Sequence, residues 1–175
     1  RKDDHREPGD PGDAMMDPSD SRRASSPHVR AARRVDRAEW LRMRNALVPS
    51  ADHEGEIDDY FRSRHYFAVF VHPRPDGTLG GFVEVGLRDY AEGCRTSPVG
   101  YLEMLYVDED LRGHGVARAL VAAAEAWARE RGACEMASDA LIDNEAAIAM
   151  HRALGYDEVE RIVCFRKTLD SGARG

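Results

Sequence analysis

Cysteine is scarce in this sequence. Its 175 residues include three, Cys94, Cys134 and Cys164, an odd number with no CxxC pair and no metal-type spacing. A disulfide scaffold and a bound metal are therefore not expected, and free thiols in a reducing, cytoplasmic setting are. Long apolar runs are missing as well. None approaches the ~20 residues a membrane-spanning helix needs, and no apolar stretch near the N-terminus marks a secretory leader, so no membrane partner is expected. An excess of positive charge is also absent, with 25 Lys and Arg against 32 Asp and Glu and a formal net charge of -7. Nucleic-acid binding needs clustered cations on phosphates, and this balance argues against it. The same balance is permissive for a cationic partner, which an acidic surface concentrates around itself.

What is present reads as a globular chain, 42% hydrophobic and 33% charged, long enough for one domain with a real core. Residues 1–27 are dominated by Asp, Arg, Ser, Pro and Gly. They offer too little apolar surface to offset ordering entropy and are expected to be a disordered extension. Met15 or Met16 could be the true start, which leaves the origin of residues 1–14 open. The folded domain is expected over residues 28–169, with 170–175 a flexible tail.

Periodicity and punctuation give the elements. His28 to Ala32 reads as a short strand, Asp36 as the N-cap of a helix carrying Trp40, Met43 and Leu47, and Pro49 as its stop. A second helix runs from about Asp52 through Phe61. Tyr66 to Val71 and Leu79 to Leu87 flank the turn Pro73–Gly77 as a hairpin, and Val99 to Val107 is a further strand. Gly115 to Arg131 is a helix whose Val116, Ala119, Leu120, Ala123 and Trp127 share one face, closed by Gly132. Cys134 to Ser138 reads as a strand, Asn144 to Leu154 as a helix, and Asp157 to Leu169 as a final strand or hairpin. The order β-α-α-β-β-β-α-β-α-β, with its central β-α-β unit, implies a single-domain α/β fold with a mixed central sheet flanked by helices.

Chemistry concentrates where a strand ends at Val107 and Arg112-Gly113-His114-Gly115-Val116-Ala117 opens a helix. A helix N-terminus offers unpaired N–H groups and partial positive charge to a phosphate. Gly113 and Gly115 let the backbone come close, and Arg112 adds a fixed cation. The alternative is a glycine-containing loop before an ordinary helix. The spacing matches neither a Walker loop nor a dinucleotide fingerprint.

The R-G-H-G-V-A motif after Y-L-E-M-L-Y-V resembles the acetyl-CoA motif Q/R-x-x-G-x-G/A of the GCN5-related N-acetyltransferase (GNAT) superfamily. Asn144 to Tyr156, N-E-A-A-I-A-M-H-R-A-L-G-Y, is similar to that superfamily's second signature, N-x-x-A-x-x-x-Y-x-x-x-G-F/Y. The stretches W-L-x-M-R-x-A-L, G-F-V-E-V-G-L-R-D-Y, P-V-G-Y-L-E, A-S-D-A and E-R-I-V-C-F-R-K-T-L narrow the resemblance to bacterial aminoglycoside 6'-N-acetyltransferases, over residues 28 to 169. It implies a GNAT fold and transfer of acetyl from acetyl-CoA to an amine of a cationic aminoglycoside, which is antibiotic resistance. Another amine (a protein N-terminus, a lysine, a polyamine) or a non-catalytic acetyl-CoA-binding module is the alternative. Relatives are frequently dimers, and a homodimer through the hairpin or the final strand is left open.

Residue roles follow. Glu103 sits in an apolar strand, on the face of Leu105 and Val107, where a carboxylate needs a partner. That partner is either an arginine or, as the resemblance implies, the incoming amine. Asp139, at the end of the next strand, lies where ligands enter α/β sheets. It reads as a capping carboxylate or, on the resemblance, an aminoglycoside contact. Glu84 is a similar acceptor candidate, though its strand could simply alternate. Glu56, in the acidic run Asp52 to Asp59, either belongs to a solvated face or meets an ammonium. Trp40 is either core or a platform for a sugar ring. The backbone N–H groups of Leu105, Tyr106 and Val107 could polarise a thioester carbonyl. Arg112, Gly113, His114, Gly115, Val116, Ala117 and Asn144 are expected to hold acetyl-CoA. His151 stands where the superfamily often has a tyrosine acid; it can donate a proton near neutral pH or simply pack beside the thiol. Direct transfer needs no thiol nucleophile, so Cys134 and Cys164 are expected in the core. Met104 and Val48 stand where relatives commonly carry Gly and Trp, which reshapes the expected acceptor cleft.

Overall fold

Two apolar layers grip one twisted sheet in the computed structural model, which describes residues 26–62 and 67–168. The strands are β1 (Arg30–Ala31), β2 (Phe67–Pro73), β3 (Leu79–Arg88), β4 (Val99–Val107) and β5 (Met136–Ser138). The helices are α1 (Arg37–Leu47), α2 (His53–Arg62), α3 (Val116–Glu130) and α4 (Glu145–Ala153). Sheet order follows chain order, antiparallel from β1 to β4 and parallel between β4 and β5. The parallel pair is the one joined through a helix, α3, as a β-α-β crossover requires.

Each face of β3 has its own partner. Phe82, with Val69 and Val71 of β2, packs under Trp40, Met43, Ile57, Tyr60 and Phe61 of α1 and α2. Val83 and Val85, with Leu102 and Val107 of β4, pack under Val116, Leu120, Val121, Ala124 and Trp127 of α3. Being covered on both sides, β3 is buried from Leu79 to Gly86, which is why it reads as a nearly continuous apolar run.

Two irregularities shape the site. The β3–β4 register moves from Val85↔Leu102 to Glu84↔Met104, so Glu103 is the extra residue of a β-bulge. Strand β5 is short and pairs only Gly100, Tyr101 and Leu102. From Glu103 to Val107, β4 runs on with no strand on that side among the described residues.

Several expectations change. The bulge resets the alternation of β4: Leu105 and Val107 pack on the α3 side with Leu102, whereas Glu103 meets Arg88, whose guanidinium lies over Tyr101. Glu103 therefore does not share the face of Leu105 and Val107. Asp36 stands at the N-cap position of α1 but makes no side-chain cap bond there; its carboxylate takes both terminal nitrogens of Arg30 and the N–H of Arg33 instead. Cys134 and Cys164 are exposed, not core.

The strand expected over Asp157 to Leu169 is not formed through residue 168. Its apolar side chains stand out from the fold, Val159 at 63%, Ile162 at 57%, Val163 at 76% and Phe165 at 93% exposed, and β5 before it is only three residues long. Residues 1–25 of the expected N-terminal extension and 169–175, with the expected tail, lie outside the described residues, as does Tyr66.

Candidate active site

The long helix α3 opens with a bare N-terminus. Gly115 is its N-cap, with φ of 81° and no side chain to bond the first-turn N–H groups. Gly113 also has positive φ, 77°. A Cβ at Gly113 would meet nothing within 4 Å, so backbone conformation, not crowding, favours glycine there, and open space lies over the loop. Arg112 Nε donates to Val107 O at 3.1 Å, which ties the loop to the end of β4 and leaves the terminal nitrogens of the guanidinium as further donors. Exposed N–H groups, a helix dipole and an arginine together fit a pyrophosphate.

The free edge of β4 lies next to this loop. Asp108 N–H donates to Gly80 O at 2.9 Å, on the β3 side. Strand alternation then turns the Tyr106 N–H toward β3 and the Leu105 and Val107 N–H groups toward the open side. Of the three expected carbonyl-polarising donors, Tyr106 is thus misdirected. The bulge at Glu103 sets this phase.

Across the opening, α4 brings up His151. Asn144 caps α4, its Oδ1 accepting from Ala147 N at 3.1 Å. The His151 ring is held at both nitrogens, Nδ1 by Ala147 O at 2.8 Å and Nε2 by Ser138 Oγ at 2.9 Å, with Tyr156 edge-on at 5.7 Å between centroids.

On the other side of the bulge lies a chain of polar contacts. Asp139 Oδ1 accepts from Tyr101 OH at 2.6 Å. Arg88 lies 3.3 Å over the Tyr101 ring centroid and binds Glu103 through both carboxylate oxygens, at 2.6 and 3.1 Å. Burial pushes the Tyr101 hydroxyl far above its usual range, and the hydrogen bond to Asp139 adds to this, so it stays a donor. Glu103 and Asp139 are brought together through Tyr101 and Arg88, neither of which the sequence singled out. The arginine partner of Glu103 is therefore present, in a pair that stays about half exposed.

Trp40 and Glu84 are buried where α1 and α2 pack on the sheet. They are 1% and 4% exposed, and Trp40 Nε1 donates to Glu84 Oε1 at 2.9 Å. Burial lifts the Glu84 carboxyl to about 7, against the pull of Arg44 and the Trp40 bond. Arg44 lies 3.1 Å from Glu84 and 2.8 Å from Glu56. The rest of the acidic run is also largely paired: Glu54 and Asp58 with Arg37, Asp59 with Arg62. Most carboxylates of this helix face are thus held by the chain's own arginines.

The description "Acetyltransferase (GNAT) family" matches residues 33–156. An aminoglycoside N(6')-acetyltransferase type 1 of Stenotrophomonas maltophilia is 44% identical over 151 residues, covering 86% of this chain and 99% of the relative. One from Klebsiella aerogenes is 43% identical, covering 83% and 99%. Among solved structures, the 6'-N-acetyltransferase AAC(6')-IG from Acinetobacter haemolyticus superposes with a TM-score of 0.76 at 36% identity, covering 82% of this chain and 99% of that one. The AAC(6')-Iy structure, in complex with the bisubstrate analogue CoA-S-monomethyl-acetylneamine, gives 0.76 at 32% identity, covering 81% and 98%.

Proposed function

The chain belongs to the acetyltransferase (GNAT) family, and from that footing we propose that it acetylates the 6'-amine of aminoglycoside antibiotics and so confers resistance to them. The observation that carries this reading is the opening between β4 and β5, with an anion-binding helix N-terminus at one end and the paired carboxylates Glu103 and Asp139 beyond the bulge. Acetyl-CoA, when bound, supplies the acetyl thioester that the acceptor attacks. Arg112, Gly113, His114, Gly115, Val116 and Ala117 hold its pyrophosphate, and the Leu105 and Val107 N–H groups polarise the carbonyl. Asn144 fixes the first turn of α4, so that His151 stands beside the leaving sulfur.

The acceptor arrives as an alkylammonium with a pKa of about 10 if it resembles lysine. Glu103 takes over that cation from Arg88 and draws off its proton through water. Asp139 binds a second ammonium, and the half-exposed Glu56 adds a weaker contact at the rim. Trp40 and Glu84 support this wall from inside. Location in the cytoplasm is part of the proposal and fits the three free cysteines. So is a homodimer, supported by the exposed apolar residues between Val159 and Phe165.

A thiol-release assay with acetyl-CoA tests the reading. The acceptor panel is kanamycin, an aminoglycoside lacking the 6'-amine, spermine and a lysine peptide. Turnover is expected with kanamycin and not with the compound lacking that amine. Turnover on the peptide alone would replace the acceptor, and binding without turnover across the panel would replace catalysis by sensing.

A further inference from the structure

We propose that Ser138 is a working member of the proton path to the leaving sulfur, a role that rests on the acetyl-transfer reading above. Ser138 ends β5 and pairs with Leu102 at the last rung before β4 and β5 part. Its hydroxyl lies between His151 Nε2 at 2.9 Å and the Leu102 carbonyl oxygen at 3.3 Å. The far side of the imidazole is fixed too, Nδ1 standing 2.8 Å from the Ala147 carbonyl oxygen. Both carbonyls can only accept. The row Ala147 O, His151, Ser138, Leu102 O contains three hydrogen bonds, and filling them takes three protons. The two side chains supply three only when the ring carries both N–H groups. With one ring proton, held by Ala147, the serine hydroxyl must turn away from Leu102 to donate to Nε2. The row therefore has two settings that differ by one proton, and the hydroxyl is the part that turns.

That difference is the proton the reaction needs. The acceptor nitrogen forms its bond to the acyl carbon, and the carbon–sulfur bond breaks with its electron pair on sulfur. The Ser138 hydroxyl turns from Leu102 O toward that sulfur and passes its proton there as the Nε2 proton of His151 passes to Oγ. Serine ends as it began, and the imidazole ends neutral with Nδ1–H still on Ala147. The hydroxyl then donates to Nε2 until solvent returns a proton to the ring. The acceptor nitrogen sheds two protons, one before attack and one as the amide forms, and both leave separately, through water at Glu103.

Ser138→Ala and Ser138→Thr test this by steady-state kinetics and by 15N NMR of the histidine rings in the substrate-free protein, with His151 assigned from a His151→Gln spectrum. Alanine is expected to lower kcat about 100-fold or more, the modest end of what a positioned proton donor contributes, with KM for acetyl-CoA within about two-fold. Threonine keeps the hydroxyl and restores most of kcat. In the spectrum, alanine shifts the Nε2 resonance and leaves Nδ1 in place. An unchanged kcat in the alanine variant, an equal loss in both variants, or an unmoved Nε2 resonance would overturn the role. The spectrum needs no acceptor, and the kcat ratio can be taken with any amine that turns over. A wrong acceptor class would thus appear in the substrate panel and leave this comparison intact.

Discussion

At the scale of single residues, the carboxylate proposed to receive the acceptor already holds a cation. Arg88 holds both oxygens of Glu103 and stacks on Tyr101, so the chain's own guanidinium sits where the proposal puts the substrate ammonium. The pair is half exposed, 42% for the Arg88 side chain and 36% for Glu103, and such pairs contribute about 0.2–1 kcal/mol. On the proposed function, an acceptor displaces Arg88 at that cost. Arg88→Ala is therefore expected to lower the KM for aminoglycoside by up to about five-fold, the upper end of that range, while kcat holds. Steady-state titration of the acceptor checks it. A higher KM would mean that Arg88 orients Glu103 and does not compete for it. Glu84 shows the contrast: a carboxylate equally central to its strand but buried against Trp40 and Arg44 has no such exchange open to it.

At the scale of elements, the donor site depends on how α3 begins. Gly113→Ala meets no neighbour, so its cost is the left-handed backbone at φ 77°, about 1–2 kcal/mol, together with a methyl group over the loop. A several-fold rise in the KM for acetyl-CoA with the acceptor KM unchanged is expected, measured beside thermal unfolding; an unmoved acetyl-CoA KM would place the pyrophosphate elsewhere. This loop was legible in the sequence because its signals are local: Gly113, Gly115 and the apolar stripe of α3 need no knowledge of the rest of the chain. So were the bounds of β4, set by Pro98 and the polar loop after Val107. The bulge was not. It depends on how β4 registers against β3, and a single inserted residue reverses which side every following residue faces. Plain alternation therefore puts Glu103 on the face of Leu105 and Val107, counts Tyr106 among the donors, and gives no sign of Tyr101, Arg88 or Ser138. Trp40 and Glu84 could be placed only once α1 was known to lie over β3.

At the scale of the whole molecule, the sheet is unfinished. Among the described residues, an apolar stretch with strand-like composition, Val159 to Phe165, pairs with no strand, and the last strand of the sheet is three residues long. Monomeric proteins rarely leave a contiguous apolar patch of this kind in water. The chain carries a net charge of -7, which opposes association of two copies at long range, so a dimer must draw its stability from apolar contact. Phe165 and Val163, 93% and 76% exposed, are the side chains with most to gain. Light scattering after gel filtration is expected to give twice the chain mass at micromolar concentration. Val163→Asp with Phe165→Asp is expected to return the monomer mass, because a carboxylate buried in such a contact lacks a partner. The same variant keeps Arg112 to Ala117 and Glu103 intact, so its kinetics separate assembly from chemistry. Retained kcat in a monomer would make the dimer a device of stability, whereas joint loss of mass and kcat would mean that the second copy completes the acceptor wall. A wild-type chain that stays monomeric at those concentrations would dismiss the dimer and leave the apolar segment to another partner.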